Sequence, residues 1–442
     1  MSIAIRLFCT VFRSDERANE CVVRLQISSY PMSIKILFVT GLYPRESEAM
    51  LKEMSGNRLQ NAANVFQWSI VEGLMDNDYD FEVVSFPFLP SFPMKFSKLY
   101  TPSAPIVHNG KSIGTMESYS ALAGCKNISI RRRLKSFIVR WIEENQSKYS
   151  KLIILTYTPH YAYVCAASEA IKQCKCNNVV ISSIVTDLVD DMLSFASNRG
   201  VLKRLQCKLH RSKTVKAYKH INRFILLTQA MEEKIKEAQG KNIVVESLVN
   251  PNTFVVERNK VNSETIFLYT GALDEFTCVK ELIEAFRLTT SPEYKLTICG
   301  VGALESYVKS VSEVDKRIDF LGVVSRGECL NLQRSATCLI NPRKPNGAIT
   351  KYSFPSKTVE YMSSGTPMIG YRLEGIPEEY YEHMYIPEDL SNESLARTME
   401  YVANLDSKIL SEKAKAAHEF LIKNKTSQKQ VRKMVEFIIQ SK

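Results

Sequence analysis

The feature that most constrains this chain is a regular alternation of short apolar runs with segments of helical periodicity. "IKILFVTGLYP" (34–44), "FEVVSFPF" (81–88), "KLIILTYTP" (151–159) and "NVVISSIVTDL" (178–188) are apolar at consecutive positions and are broken by Gly, Pro or Asp. Runs that are apolar on both faces have the composition of strands buried inside a parallel sheet. "RLQNAANVFQWSIVEGL" (58–74) spaces its apolar residues at helical intervals, and "RFILLTQAMEEKIKEA" (223–238) reads as strand, corner and helix. A second series follows: "TIFLYTGAL" (265–273), "YKLTICGVG" (294–302), "RIDFLGVV" (317–324), "TCLINP" (337–342) and "TPMIGYRL" (366–373), with helical segments between them. Parallel strands require crossover helices, so the pattern predicts an α/β chain of two Rossmann-like, doubly wound parallel-sheet domains facing a central cleft. The 442 residues also exceed what one core usually serves. The expected domains are 32–248 and 249–420, followed by a terminal helix in 421–442 that crosses back to the first domain and is capped by Ser427.

Met32 opens "MSIKILFVTG", which reads as the natural start of the first strand. Residues 1–31 carry an apolar stretch broken by Arg6 and Arg13, unlike a secretory leader, and are expected to be a poorly ordered extension. The eleven cysteines are scattered, with only Cys174 and Cys176 close together, so neither a zinc site nor a disulfide framework is expected. That usage predicts a reducing, cytoplasmic setting. The formal charge of +11 points to nucleic acid, an anionic membrane surface or phosphorylated substrates as partners. No RNA-binding aromatic signature, zinc finger or helix-turn-helix context is present, which ranks nucleic acid last.

Ligands of such sheets bind outside the carboxyl ends of the strands, so the loops there are the candidates. In the second half these loops hold Gly271, then Gly300 and Gly302, and then Arg343 and Lys344. Glycines at strand exits let backbone amides approach a ligand, although a tight turn explains Gly300 and Gly302 equally well. The stretch "SFPSKTVE" (353–360) is more informative. After Ser353 and Phe354, Pro355 and Ser356 start a helix whose first N–H groups point outward, and Lys357 in that first turn opposes the helix dipole unless an anion sits there. Glu360, about one turn further on, can accept two hydroxyl hydrogen bonds from a ribose. Phosphate at the helix mouth and ribose at the glutamate together describe a nucleoside diphosphate; a proline-started helix with solvated charges is the plainer alternative.

The stretches "LYTGALDEFTCVKELIEAF", "LTICGVGALESYVK", "IDFLGVVSRGECLNLQRSATCLINPRK" and "FPSKTVEYMSSGTPMIGYRLEGIPE" resemble, in order and spacing, the donor-binding domain of retaining GT-B glycosyltransferases of family 4. The "FPSK…EYMSSGTP" version is similar to that of bacterial enzymes of capsule, exopolysaccharide and O-antigen assembly. The resemblance implies that Glu360 is the second glutamate of the family's paired-glutamate motif and binds the nucleotide ribose. The first glutamate falls at Tyr352, and the family's diphosphate-binding arginine and lysine fall at Ala272 and Cys278. Lys357 is then the first replacement, followed by Arg343 and Lys344.

By a weaker resemblance in the first half, Gly56 and Asn57 would touch donor phosphates or acceptor, and His160 would lie over the donor sugar. Asp187, closing an apolar run, is expected in the cleft, and Asp190 and Asp191 in solvent. The basic helices "RRRLKSFIVRWIEE" (131–144) and "KRLQCKLHRSKTVKAYKH" (203–220) suit anionic headgroups, or else simply pack their apolar faces inward. The resulting expectation is a metal-independent retaining hexosyltransferase. It would use a UDP- or GDP-linked sugar as substrate, no cofactor, and a saccharide or lipid-linked acceptor at the inner face of a bacterial membrane. The alternative is an inert GT-B subunit that binds nucleotide and supports a partner.

Overall fold

The structure, a computed structural model, describes residues 33–56, 58–189, 201–251 and 264–440, with backbone alone for 201–204, 206, 348 and 349. The expected extension 1–31, Asn57, Asp190 and Asp191 lie outside the described residues.

The first half is built on β1 (Ile34–Thr40), β2 (Phe81–Ser85), β3 (Ala104–His108), β4 (Lys111–Met116), β5 (Lys151–Tyr157), β6 (Val179–Val185), β7 (Arg223–Leu226) and β8 (Asn242–Val244). They form one eight-stranded sheet in the order β3-β4-β2-β1-β5-β6-β7-β8. Ile36, Leu37, Phe38 and Val39 of β1 are all fully buried, which is why this strand reads as an unbroken apolar run. The strand pairs are parallel, with one correction to the expected all-parallel sheet: β3 and β4 are antiparallel. Their turn is Asn109-Gly110, with φ of 49° and 75°. Positive φ at both central residues is the geometry that joins two right-twisted strands in two residues, and Asn-Gly is the pair best suited to it.

Helices α1 (Glu48–Ser55), α2 (Asn61–Met75), α3 (Lys126–Asn145), α4 (Tyr161–Cys174) and α5 (Val201–Tyr218) belong to this half. The expected helix at the end of 223–238 is instead a pair of short 3-10 turns, Gln229–Glu233 and Lys236–Ala238. The apolar stripe of α3 is core: Leu134, Ile138, Trp141 and Ile142 are buried against α4, so a membrane-facing stripe on this helix is corrected to an inward one.

The second half has β9 (Thr265–Thr270), β10 (Tyr294–Cys299), β11 (Ile318–Gly322), β12 (Cys338–Asn341) and β13 (Met368–Gly370), all parallel in the order β11-β10-β9-β12-β13. Helices α6 (Val279–Arg287), α7 (Glu305–Val314), α8 (Arg326–Ser335), α9 (Gly347–Lys351), α10 (Ser356–Ser363), α11 (Asn392–Ala403) and α12 (Ser407–Asn424) complete it. The strand order reverses direction between β9 and β12, and in the first sheet between β1 and β5. These are the switch points where crevices open at the strand ends.

The final helix, α13 (Ser427–Ile439), buries Val431, Met434, Val435 and Ile438 in the same cluster as Ile70, Val71 and Leu74 of α2. Each such side chain contributes about 1.5–3 kcal/mol of burial. Thr426, one residue before the expected Ser427, is its cap and accepts from the Lys429 N–H at 3.4 Å. The return crossing runs beside the outgoing one: Val249 bridges Thr426, and the Ser427 N–H donates to the Val249 carbonyl at 2.9 Å. Next to this bridge Lys425 is paired with Glu246, their side chains 7% and 2% exposed, and Tyr380 donates to the same carboxylate at 2.7 Å.

Candidate functional site

The exits of β9 and β12 and the mouth of α10 enclose a cavity of about 220 Å³. Tyr269 and Thr277 line it from the β9 side, Asn341 and Arg343 from β12, and Phe354, Pro355, Ser356 and Lys357 from the helix mouth. Pro355 occupies the N-cap of α10, and no side chain among the described residues caps that helix. Its first N–H groups are therefore open to solvent or to an anion, with the helix dipole behind them.

The glycine loops are packed to the backbone. A methyl group on Gly271 (φ 156°) would stand 2.2 Å from Lys357 Cε and 2.4 Å from its Nζ. One on Gly300 would stand 1.7 Å from the Gly271 carbonyl oxygen, and one on Gly302 would stand 2.2 Å from the Leu273 carbonyl oxygen. The missing side chain of Gly271 thus makes room for the lysine, whose ammonium also lies 5.8 Å from the ring centroids of Tyr269 and Tyr361. The Tyr269 hydroxyl donates to the Ala272 carbonyl at 2.7 Å and fixes the loop.

Arg343 donates to the Ser353 hydroxyl at 3.2 Å, and its burial pulls the guanidinium's pKa below the usual value. Lys344 points elsewhere, to Asn392 Oδ1 at 3.2 Å. Of the expected replacements for the missing basic pair, the structure therefore brings Lys357 and Arg343 to the cavity and leaves Lys344 outside its lining. Ala272 follows the glycine. Cys278 sits at the N-cap of α6 with φ of 57°, its half-buried thiol raised in pKa by burial.

Glu360 is exposed, and its carboxylate accepts from Gln333 Nε2 at 2.7 Å. Gln333, on α8 and fully buried, also donates to Thr270 Oγ1 at 3.1 Å. Tyr361 ties α10 to the same strand end: its hydroxyl accepts from the Thr270 N–H at 3.0 Å. These three supporting residues were not anticipated. The signal for Gln333 was a polar side chain on the inward face of "RGECLNLQRS", one turn after Cys329.

Tyr352 has left the cavity. It is 7% exposed and belongs to the apolar cluster of the first half, with Tyr161, Ala162 and Met231. Its hydroxyl donates to Glu233 Oε2 at 3.2 Å, while Lys351 pairs with Glu233 at 3.0 Å and with Glu374 at 3.7 Å. Lys351, Glu233 and Glu374 border a wider, open depression of about 740 Å³, which has acidic walls and lacks the glycine loops.

In the first half, His160 ends the β5 loop and caps α4, its Nδ1 accepting from the Ala162 N–H at 3.3 Å. That bond places the proton of the neutral ring on Nε2. The ring packs on Tyr161, Tyr163 and His210, and burial, with His210 and Lys126, pulls its pKa down to about 3. Asp187 follows β6, exposed, and accepts from the Thr186 hydroxyl at 3.1 Å. Gly56 is the αL cap of α1 (φ 59°), and a methyl group there would meet nothing within 4 Å. The loop leaving β1 is instead held by α2: Gln67 Oε1 accepts from the Gly41 N–H at 2.8 Å and Asn64 Oδ1 from the Tyr43 N–H at 2.9 Å.

Among the described residues every cysteine is a free thiol, no group of three or more His, Cys, Asp or Glu is arranged to hold a metal ion, and no helix is long and apolar enough to cross a membrane.

The family model described as Glycosyl transferases group 1 matches residues 264–404, the span that carries the cavity. No curated protein matches the chain. Among solved structures, a sucrose-phosphate synthase from Thermosynechococcus elongatus is similar at 15% identity and TM-score 0.59, covering 92% of this chain and 98% of that one. The apo lipopolysaccharide outer core galactosyltransferase WaaB is similar at 15% identity and TM-score 0.55, covering 92% and 99%. Anabaena HepE in complex with UDP is similar at 14% identity and TM-score 0.51, covering 92% and 99%. Residues 264–404 thus match a Glycosyl transferases group 1 domain, and the chain as a whole has the GT-B fold of two Rossmann-like halves.

Proposed function

We propose that the chain moves a sugar, with retention of configuration, from a UDP- or GDP-linked donor to a saccharide acceptor carried on a lipid, in the assembly of a bacterial surface polysaccharide. The observation that carries this reading is the convergence of an uncapped helix mouth, Lys357 and Arg343 on one cavity at the β9/β12 switch point. Glu360 lies one turn along the same helix. A diphosphate leaving group fits the first part and a ribose fits the glutamate. The N–H groups of α10 and the two cations stabilise the charge that develops as the diphosphate departs, the kind of term that usually dominates such a step. HepE solved with UDP and glucose, and WaaB described as a galactosyltransferase, support a nucleotide-sugar donor and a saccharide acceptor.

His160 and Asp187 are the groups proposed from the acceptor side, with His160 Nε2 as a neutral donor toward the sugar. Peripheral contact with an anionic, cytoplasmic membrane face is supported by α5, where exposed Leu205 and Leu209 lie among exposed Lys208, Lys213 and Lys216. Flotation with anionic vesicles at low salt tests it, and absence from the vesicle fraction rejects it. A second reading, an inert nucleotide-binding subunit, is favoured by Tyr352, which takes the motif's first position out of the cavity.

The test of the main reading is a thermal-shift panel of nucleotide-sugars on wild type and Glu360→Ala. Stabilisation of wild type by a UDP- or GDP-sugar, lost in the variant, is expected; failure of every donor, or survival in the variant, rejects the assignment. Turnover with acceptor extracts then separates the enzyme from the inert subunit.

A further inference from the structure

We propose that Gln333 is a positioning residue of this site: its carboxamide holds the Glu360 carboxylate in the orientation that receives the ribose hydroxyls. The inference rests on the reading of Glu360 as the ribose group.

Glu360 stands on an exposed part of α10, where a glutamate side chain samples several rotamers. One of its oxygens, Oε1, is fixed by Gln333 Nε2 at 2.7 Å. The second N–H of the same amide goes to Thr270 Oγ1 at 3.1 Å, so the carboxylate is referenced to the end of β9, one residue before Gly271. The Gln333 main-chain carbonyl in turn accepts from Thr366 Oγ1 at 2.7 Å, which locks the turn after α10 to α8. Gln333 therefore joins the elements that bear the ribose group and the glycine loop.

The amide is oriented by this task at its own expense. Gln333 is fully buried, and its Oε1 accepts from no described residue. A buried carbonyl without a partner is destabilising, and a leucine or methionine would fill the same volume without that penalty. The N–H pair is what an apolar residue lacks. A lysine or arginine would neutralise Glu360 and compete with the ribose for it, and a glutamate would repel it, so a neutral donor is the group that orients a carboxylate and leaves Oε2 to a ligand.

The test is calorimetric titration of the full chain with UDP and with GDP, in parallel with thermal melts. Gln333→Met keeps the length and removes the donors; freezing a glutamate rotamer on binding rather than beforehand predicts roughly tenfold weaker affinity for the nucleotide that wild type binds. In a Glu360→Ala background the same substitution is expected to change affinity less than about twofold, because its route of action is gone. Gln333→Glu adds a pH signature. At about pH 8 two carboxylates oppose each other and affinity falls; at about pH 5 the introduced carboxyl, once protonated, again offers a donor and affinity recovers relative to wild type at the same pH. A merely structural role would move the melting temperature without this recovery. Wild-type affinity in Gln333→Met, an undiminished effect in the Glu360→Ala background, or a pH-independent deficit in Gln333→Glu each overturns the proposal. If instead neither nucleotide binds wild type, or Glu360→Ala binds as wild type does, the ribose reading fails and the proposal falls with it.

Discussion

Replacing Gly271 by alanine tests the phosphate end of the cavity through a residue that makes no ionic contact itself. The new methyl group would stand 2.2 Å from Lys357 Cε. Carbon atoms in favourable contact sit about 3.5–4.0 Å apart, so the end of the lysine must retreat by more than about 1 Å. A flexible side chain does this easily, so the fold survives, with a backbone penalty of about 1–3 kcal/mol for a side chain at a φ of 156°. The ammonium then loses its place over Gly271. A charge-assisted hydrogen bond to a phosphate oxygen is worth about 1.5–3 kcal/mol, which corresponds to roughly ten- to 150-fold weaker binding of a nucleoside diphosphate. Calorimetry with UDP and GDP on wild type, Gly271→Ala, Lys357→Met and the double variant measures it. The double variant is expected to bind about as weakly as Lys357→Met alone. Affinity of Gly271→Ala within about twofold of wild type, or a loss of the same size with Lys357 already removed, would refute the assignment of the glycine to the lysine's placement.

Other expectations concern the scaffold. Tyr352→Glu should destabilise the chain by about 2 kcal/mol or more in urea melts, because it drives a carboxylate into the apolar cluster around Tyr161 and Met231. A neutral or stabilising result would show that Tyr352 leaves that cluster in solution. Lys425→Met should cost about 3–5 kcal/mol by stranding the buried Glu246, and Lys425→Met/Glu246→Leu should recover most of it; equal losses in both would place the cost elsewhere. His160 has a folded pKa of about 3, below its unfolded value, so its neutral form favours folding above about pH 6.5 and that stability drains away as pH falls toward 3. His160→Asn keeps a capping acceptor and should flatten the melting temperature between those limits; an unchanged acid slope would contradict the part-buried neutral ring.

The sheets were legible because their strands are buried on both faces and end on helix breakers, so 34–44, 151–159, 265–273 and 294–302 each contain an observed strand. The antiparallel β3–β4 hairpin went unread: Asn109-Gly110 is a hairpin turn pair, but its short strands are half polar and lack the long apolar run that marked the others. The corner after β7 misled because "MEEKIKEA" has helical spacing, whereas the segment between β7 and β8 folds into two 3-10 turns. The helix mouth at Pro355 to Lys357 and the outward Glu360 could be read from capping and charge alone. Gln333 and the destination of Tyr352 could not, since both depend on what lies opposite in the folded chain: a carboxylate from α10 in one case, the other half's core in the other. The outward basic residues of α3 suggested a membrane face, whereas its apolar spacing only required some apolar surface, and α4 supplied it.

The crossings described above also set a rule for recombination. A chain of two Rossmann-like halves looks modular, which invites exchange of halves between relatives. Here the second half carries two plugs that complete the first half's core, the ring of Tyr352 and the apolar face of α13. A chimera cut only in the outgoing linker would install both against foreign surfaces. One that keeps 427–439 with its own α2, and provides a seat for Tyr352 with Glu233 beside it, retains the native interlock.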